Sequence, residues 1–437
     1  MRKSTFASIA SLCMVPAALF WSQDSSAVPA FARKYQTSCY TCHSGFPNRN
    51  AFGEAFKNNG YRWPGGEEED HAKQEQTKMG GEGWKKIFPE SPWPSDIPGF
   101  APFALYLTGP IVNYSDKVTN KSGAPVTSQT LNWGGPVDAR ILFGGTIGET
   151  VGIVGALEGI SAGTTTTNLR AVWSFSPGVN LSFGNSGFSA FRGLASPISA
   201  YTNVFPAQGV GPELNYAVGK EGGLNIIAGL SDITDAPNGT TTTISGAEPT
   251  EGLKVTKNLS AANKLDDIRY VRAKYKLFGA GLLSGAGGTY GNEYVGLDNS
   301  LAIGASLLSA RDNMLSTGGG AGFETLIYGA DIAGNYGNLT AGVAYSRDRD
   351  LKLNNYAVDA GYYIYPWLLP RVTYKYLGQT GGLDNPSIAA SITAYLRANV
   401  FLKASYTAFT HNIAPSTAAT TGVNNANTAS LSAGLAF

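Results

Sequence analysis

Two cysteines separated by two residues and followed at once by a histidine stand near the start of the chain, in the string Ser38-Cys39-Tyr40-Thr41-Cys42-His43. The pattern is C-x-x-C-H. Two thiols at this spacing can each add across one vinyl group of a haem, and the adjacent imidazole then stands over the ring to ligate its iron. The same spacing also serves a thioredoxin-like redox pair, a structural disulfide or half of a zinc site. A redox pair sits at a helix start in a βαβ unit, and a zinc site needs two more Cys or His ligands nearby; the surroundings of Cys39 and Cys42 offer neither. The expected chemistry is therefore one covalent haem c on Cys39 and Cys42, with His43 as an axial ligand of the iron. The second axial position falls to His71 or Met79, or stays open. Both lie in a polar stretch at 67–86, and the rest of the exported chain offers only Met314 and His411. A methionine there would raise the potential relative to a histidine.

The elements around the motif are short. Residues 50–59 place Ala51, Phe52, Ala55 and Phe56 on one helical face, with Gly60 as a natural stop, so one amphipathic helix is expected whose Phe52 and Phe56 could cover a haem face. Pro89, Pro92, Pro94 and Pro98 then make a stiff connector that ends the small domain. Before the motif, Met1-Arg2-Lys3 leads into a nearly wholly apolar run at 6–21 and then into small residues ending at Ala27 and Ala30. This is the layout of a secretory signal peptide. The run is shorter than the roughly 20 residues of a spanning helix, and Pro16 interrupts it. Leu12 before Cys13 makes no lipoprotein site. The organisation expected is a signal peptide at 1–27, a monohaem cytochrome c domain with its linker at 28–98, and a third part at 99–437. Removal of 1–27 deletes Arg2, Lys3 and Asp24, which leaves the chain formally neutral and Cys39 and Cys42 as its only cysteines.

Composition limits what the third part can be. Of 437 residues, 14% are charged, against about 25% in soluble domains, while mean hydropathy stays near zero, so the apolar residues are not gathered into long runs. A bundle of membrane helices is excluded. A formal net charge of +1 without basic clusters leaves no signal for nucleic acid. What remains, with 55 glycines and 22 tyrosines, is an all-β chain.

From Ala101 the sequence runs in segments of about ten residues with a period of two. Val271, Ala273, Tyr275 and Leu277 alternate with Arg272, Lys274 and Lys276; Val372, Tyr374 and Tyr376 with Arg371, Thr373 and Lys375; Val400, Leu402, Ala404 and Tyr406 with Lys403, Ser405 and Thr407. One face suits lipid and the other water. Long polar stretches at 115–136, 187–210 and 231–266 alternate with tight turns at 176–178 and 220–223, and the last segment alternates up to Phe437. Together these describe a transmembrane antiparallel β-barrel with short periplasmic turns, long outer loops and aromatic girdles, in contact with outer-membrane lipid. The pattern yields about 17 segments, with the boundary hidden in Gly-rich sequence at 278–322. Because bacterial barrels have even counts, 16 strands are expected, possibly 18. Such a barrel encloses a lumen wide enough for water or a small plug. Arg140, Arg170, Arg272, Lys274, Lys276, Arg371, Lys375 and Lys403 would face inward among fewer acids such as Asp138 and Asp359, making the lumen basic. These cations could hold haem propionates or the acidic run at 67–70, or simply line a solvated channel.

The residues Ala27-Val28-Pro29-Ala30-Phe31-Ala32-Arg33, the haem motif four positions beyond Tyr35, and Pro47, Gly53, Phe56, Lys57, Gly60 and Tyr61 resemble the fused monohaem cytochrome–porin family of outer-membrane iron oxidases. The resemblance is detailed in the cytochrome segment and only of kind in the barrel. It departs from the family at Lys34-Tyr35-Gln36, where Gln-Thr-Gly is usual, at Arg49, where a Leu stands, and at Glu54, where an Arg stands; this chain is a divergent member. The resemblance implies haem binding by Cys39, Cys42 and His43, a haem domain in or at the barrel, and electron flow from extracellular Fe(II) to a periplasmic carrier such as a soluble cytochrome c, in the outer membrane of a Gram-negative bacterium. The same parts could run outward to an extracellular metal or oxyanion acceptor, or form a diffusion porin with a haem-bearing gate. Gly279-Ala280-Gly281 and the glycines at 318–322 read as strand and turn glycines, not phosphate cradles.

Overall fold

The computed structural model describes residues 29–45, 48–65, 71–73, 76–78, 96–98, 102–121, 124–135, 137–147, 150–158, 166–186, 209–231, 242–243, 258–259, 268–284, 297–312, 323–349, 352–379, 386–397, 399–409 and 422–437. The expected signal peptide at 1–27, the acidic run at 67–70, Met79, Met314 and His411 lie outside the described residues.

The first described segment folds as helix α1 (Pro29–Lys34), a 3-10 turn (Cys39–Thr41), the paired strands β1 (His43–Gly45) and β2 (Asn48–Arg49), and helix α2 (Ala51–Asn58). Helix α2 is the one expected at 50–59. Asn50 caps it by accepting the Gly53 N–H at 3.0 Å, and Gly60, at φ +72°, turns the chain away from its end. A small pair, β3 (Gln76–Lys78) with β4 (Asp96–Pro98), follows.

The barrel begins at Phe103. Its first strands are β5 (Phe103–Lys121), β6 (Ala124–Trp133), β7 (Asp138–Ile147), β8 (Val151–Glu158), β9 (Thr166–Ser176), β10 (Val179–Ser186), β11 (Gly209–Val218) and β12 (Glu221–Ser231). A separate two-stranded pair, β13 (Thr242–Thr243) and β14 (Asn258–Leu259), precedes β15 (Ile268–Ala280) and β16 (Ser300–Asp312). The series ends with β17 (Phe323–Tyr336), β18 (Leu339–Asp348), β19 (Leu353–Tyr362), β20 (Leu368–Gln379), β21 (Ser387–Arg397), β22 (Val400–Phe409) and β23 (Gly422–Ala436). Neighbours pair antiparallel, and β23 pairs with β5 from Gly422 opposite Asn120 to Ala436 opposite Tyr106, which closes the sheet.

The closed sheet contains seventeen strands but sixteen staves. Strand β6 pairs with the second half of β5, from Val112 to Lys121, and β7 with its first half, from Phe103 to Thr108. β6 and β7 thus lie end to end as one broken stave. The break falls at Gly134, at φ +72°, and at Gly135, where a Cβ would stand 2.5 Å from the Pro110 ring. The stretch at 115–136, expected as a loop, is largely this β5–β6 hairpin. The many polar residues in this sequence hide it from a hydrophobic-period reading, while Val118, Thr119, Val126 and Thr127 favour extended backbone. The boundary hidden in 278–322 is strand β16.

The alternation sorts side chains as expected. Val271, Tyr275, Leu277, Val372 and Tyr406 are exposed on the outer face, while Arg272 and Lys274 are buried inside. Apolar residues such as Leu307, Val343 and Val358 form the middle of the outer band. Tyr345, Tyr356 and Tyr376 make a cross-strand ladder with ring centroids 5.0 and 5.5 Å apart toward the end of the barrel with the longer connections. Trp173, Phe175, Tyr365 and Trp367 ring the short-turn end. Among the described residues no helix is long and apolar enough to cross a membrane.

A charge in the middle of this outer band should be costly. Val358→Arg, at an outward position halfway along β19, is expected to destabilise the barrel by about 2–4 kcal/mol in a bilayer; denaturant unfolding in lipid vesicles measures it, and an unchanged midpoint would contradict a lipid-facing Val358.

Candidate functional site

The segment at 29–65 sits inside the barrel at its short-turn end, bound to inward-facing groups around the circumference. Lys34 donates to the Thr146 hydroxyl beside the β7–β8 turn, and Arg33 to the Phe103 carbonyl at the start of β5. Arg62 donates to Ser174 Oγ at 2.6 Å, the Asn180 amide to the Asn58 carbonyl at 2.6 Å, and the Asn58 amide to the Leu282 carbonyl at 3.0 Å. Gly60 lies so close to Gly152 of β8 that a Cβ there would be 2.3 Å from the Gly60 carbonyl oxygen. An aromatic cluster of Phe31, Tyr35, Phe52, Phe56, Tyr61 and Trp63 continues into Tyr106, Tyr363, Tyr395 and Phe401 of the wall. Burial of this apolar surface, at about 25 cal/mol per Å², is the main force holding the plug.

The C-x-x-C-H turn is fixed from both sides. Ser38 caps the 3-10 turn by accepting the Tyr40 N–H at 3.2 Å, and the Cys42 N–H donates to the Cys39 carbonyl at 3.2 Å. Asn50 joins the turn to α2: its amide donates to the Tyr40 and Thr41 carbonyls at 2.9 and 3.1 Å, and its N–H to the Cys42 carbonyl at 3.0 Å. The helix comes so near that a Cβ at Gly53 would lie 2.1 Å from the Cys42 oxygen. Sequence reading missed Asn50, although an Asn directly before an amphipathic run is a cap signal.

Cys39 and Cys42 are free thiols. Burial raises both, with the nearby Cys39 adding to the effect on Cys42, which is pushed up to about 12. A redox dithiol needs the opposite shift, so this environment argues against that reading. His43 is buried, and its Nδ1 lies 3.1 Å from the Asn48 carbonyl. A proton on Nδ1 donated to that carbonyl leaves the lone pair on Nε2, the tautomer and orientation that metal-ligating histidines adopt. Cys42 packs against the aromatic cluster, an apolar wall suited to a porphyrin. The donor set therefore fits a covalent haem. Phe52 and Phe56 lie in that cluster, as interior aromatics that border the turn. His71 stacks on Trp63 with centroids 5.0 Å apart, and Trp63 in turn packs on Phe52 at 4.9 Å.

The inward cations are mostly neutralised rather than forming a uniformly basic lumen. Arg140 pairs with Asp138 and Glu158 at 2.7 and 2.9 Å, Arg170 with Glu213 at 2.5 Å, and Arg272 with Asp331 at 2.6 Å. Lys276 pairs with Asp298, and Arg371 with Asp359 at 2.5 Å. Glu158, Glu213, Asp298 and Asp331 escaped the sequence reading, although Glu213 and Asp331 stand at inward parity beside the exposed Leu214 and Ile332. Lys274 meets Glu54 of the plug at 3.6 Å, and Arg49 holds the same carboxylate at 2.6 Å. Burial alone would raise the Glu54 carboxyl, but the charges of Arg49, Lys274 and Lys57 outweigh it and hold it well below the usual carboxylate range. The string Gly159-Ile160-Ser161-Ala162-Gly163 matches a nucleophile-elbow pattern but joins two barrel strands, not a strand to a helix, and lies outside the described residues.

The fold defines a porin-like protein, a closed antiparallel barrel of sixteen staves with a segment of its own chain in the lumen. Solved structures similar to it include OmpF of Salmonella typhi in complex with daunomycin, at 14% identity over 77% of this chain and 97% of that one, TM-score 0.46. An anion-selective porin from Comamonas acidovorans matches at 12% identity over 77% and 99%, TM-score 0.45, and OmpT of Vibrio cholerae at 12% over 78% and 100%, TM-score 0.40. No protein-family model and no curated protein matches the chain.

Glu54→Gln would leave Arg49 and Lys274 without their shared, partly buried counter-charge, and is expected to weaken plug docking by about 1–3 kcal/mol; faster hydrogen exchange of the α2 amides than in the unaltered protein is the readout. Because the folded pKa of Glu54 is depressed, its contribution is complete above the ordinary value of 4.5 and is lost as pH falls below it. The difference in exchange between the two proteins should therefore shrink under acid; a constant difference from pH 7 to pH 3 would contradict the pairing.

Proposed function

We propose that the chain is an outer-membrane protein of a Gram-negative bacterium in which one c-type haem, held by Cys39 and Cys42 with His43 as axial ligand, passes electrons from extracellular Fe(II) to a periplasmic carrier such as a soluble cytochrome c. The observation that carries this reading is the position of the C-x-x-C-H turn: it is held within the lumen of a closed barrel, at the short-turn end. Short turns face the periplasm in bacterial barrels. A haem bound there supplies a one-electron couple whose potential is tuned by its axial ligands, by hydrogen bonding and by burial.

The chain's own residues do the rest. Asn50 and Ser38 fix the turn, and the Asn48 carbonyl orients the His43 ring. Phe31, Phe52, Phe56 and Trp63 exclude water around Cys42. The plug contacts the wall on many sides, so that the electron rather than the ion would pass on to the periplasm. Each Fe(II) loses one electron and the periplasmic carrier gains one. Since both thiols are packed in the folded plug, their addition to a haem has to precede docking. His71, stacked on Trp63, and Met79, outside the described residues, are the candidates for the second axial position.

A second reading is a diffusion porin whose haem-bearing segment acts as a gate. It is favoured by the hydroxyl-bearing and ion-paired side chains that line the wall, such as Ser182, Arg272, Asp331 and Ser405, which suit a solvated passage.

Anaerobic addition of ferrous iron to the haem-loaded protein in detergent at neutral pH separates the readings. Rapid growth of the reduced α-band, lost in His43→Ala and in the Cys39→Ala, Cys42→Ala double variant, is expected. Reduction by a strong chemical reductant alone would remove Fe(II) as donor and leave outward electron flow. Conductance of small solutes in planar bilayers, equal with and without residues 29–98, would instead favour the porin.

A further inference from the structure

A carbonyl can orient an imidazole only as firmly as it is held itself. The Asn48 carbonyl, 3.1 Å from His43 Nδ1, belongs to the two-residue strand β2, which pairs with β1 at His43 opposite Arg49 and at Gly45 opposite Asn48. A two-stranded pair this short is marginal by itself. The support comes from the barrel wall.

Two wall tyrosines meet the pair, one on each strand. Tyr395 of β21 packs its ring against Gly45 of β1 so closely that a Cβ there would stand 2.6 Å from the ring Cζ. Tyr363 follows β19 in the short turn toward β20. Its side chain is fully buried, and its hydroxyl makes hydrogen bonds with the side chains of Ser44 and Asn48. Ser44 directly follows His43, and Asn48 supplies the carbonyl that faces the His43 ring. Tyr363 also lies within electrostatic range of Tyr40, inside the C-x-x-C-H turn.

Tyr363 is fixed in its own place. Its N–H donates to the Asn338 carbonyl at 3.0 Å, and its carbonyl accepts from the Asn338 side-chain amide at 2.9 Å, so the β17–β18 turn grips the β19–β20 turn. One chain of contacts therefore runs from Asn338 through Tyr363 and Asn48 to Nδ1 of His43. A hydrogen bond at the nitrogen that does not ligate sets the tautomer and ring orientation of a ligating histidine and raises its basicity. A more basic imidazole favours oxidised iron, so loosening the contact raises the potential of a bound haem.

We propose that Tyr363 is a positioning residue for His43: acting through Asn48, it sets the tautomer and orientation of the ring, and the wall thereby tunes a site carried by the plug. The functional meaning of this role rests on the haem reading above, whereas the contacts belong to the wall and the β1–β2 pair alone.

The test has one arm without haem and one with it. His43, His71 and His411 are the only histidines of the chain, so nitrogen NMR of the histidine-labelled full-length protein in lipid resolves each ring. In the Cys39→Ser, Cys42→Ser background at about pH 8, where an ordinary histidine is neutral, His43 is expected mainly as the Nδ1–H tautomer. Tyr363→Phe should move the tautomer ratio roughly fivefold toward Nε2–H, the worth of one neutral hydrogen bond. Adding Asn48→Ala, which keeps the backbone carbonyl, should move it no further, because both substitutions break the same contact. In the haem-loaded protein, Tyr363→Phe should raise the midpoint potential. Should Tyr363→Phe fail to give a folded barrel, Asn48→Ala alone is read in the same way. A tautomer ratio or a potential that stays put, or shifts that add in the double variant, overturns the proposal. So does a shift accompanied by faster hydrogen exchange of the α2 amides, which marks general loosening of the plug. Absence of haem absorbance from the unaltered protein would defeat the haem reading instead, and the haem-free arm would still decide the role of Tyr363.

Discussion

Closure of the sheet governs everything else in this molecule. A spanning segment cannot leave backbone N–H and C=O groups unpaired in hydrocarbon, because each costs several kcal/mol, and a β-sheet satisfies them all only when its last strand finds its first. Here β23 meets β5 over most of the length of both. Once the ring is closed, the period of two decides where each side chain goes: Val271 outward, Arg272 inward, with no third choice. The even count follows from the same constraint, because the first and last strands must run antiparallel to pair as they do. The broken stave of β6 and β7 obeys it too, since both halves run against β5 and together occupy one position in the ring.

A ring of sixteen staves is wider than its own side chains can fill, and the space has to be occupied by water, solute or protein. Residues 29–65 occupy one end. Their anchoring is a mixture of forces with different ranges. The aromatic cluster supplies burial without direction, while Asn58, Arg62 and Lys34 make hydrogen bonds that set the orientation. Glu54 adds selectivity, because a partly buried carboxylate between Arg49 and Lys274 resists a shift that would separate it from either. The pair is local to the plug, since Arg49 and Glu54 are five residues apart, and Lys274 ties it to the wall.

Much of this was legible in the chain, and the reasons differ from part to part. The faces of β15, β20 and β22 were readable because a barrel strand touches lipid on one side, so the alternation is undiluted. Helix α2 was readable because its apolar face and glycine stop fall within residues 51–60, although its cap, Asn50, went unread. The stave count was legible through the even-number rule, which brought about 17 segments to the sixteen observed; the broken stave was not, because an interruption at Gly134 and Gly135 looks the same in sequence whether or not the ring counts it. Nor was the state of the lumen charges. Arg272 and Asp331 are 59 residues apart and Arg170 and Glu213 are 43 apart, so the pairing is a property of closure and register that no local pattern carries. A tally of inward cations overstated the positive field for that reason.

Pairing also changes what the remaining charge means. In a lumen where most cations are neutralised nearby, their fields cancel within a few ångströms, and an anion entering from the loop end meets little long-range pull along the β7–β17 side. The charge contact that reaches across the lumen is Lys274 of β15 with Glu54 of the plug, which Arg49 holds from the other side. The wall and the plug are therefore coupled through charge as well as through packing: a cation of the wall is balanced by a carboxylate of the plug, so displacing the plug would leave Lys274 without it.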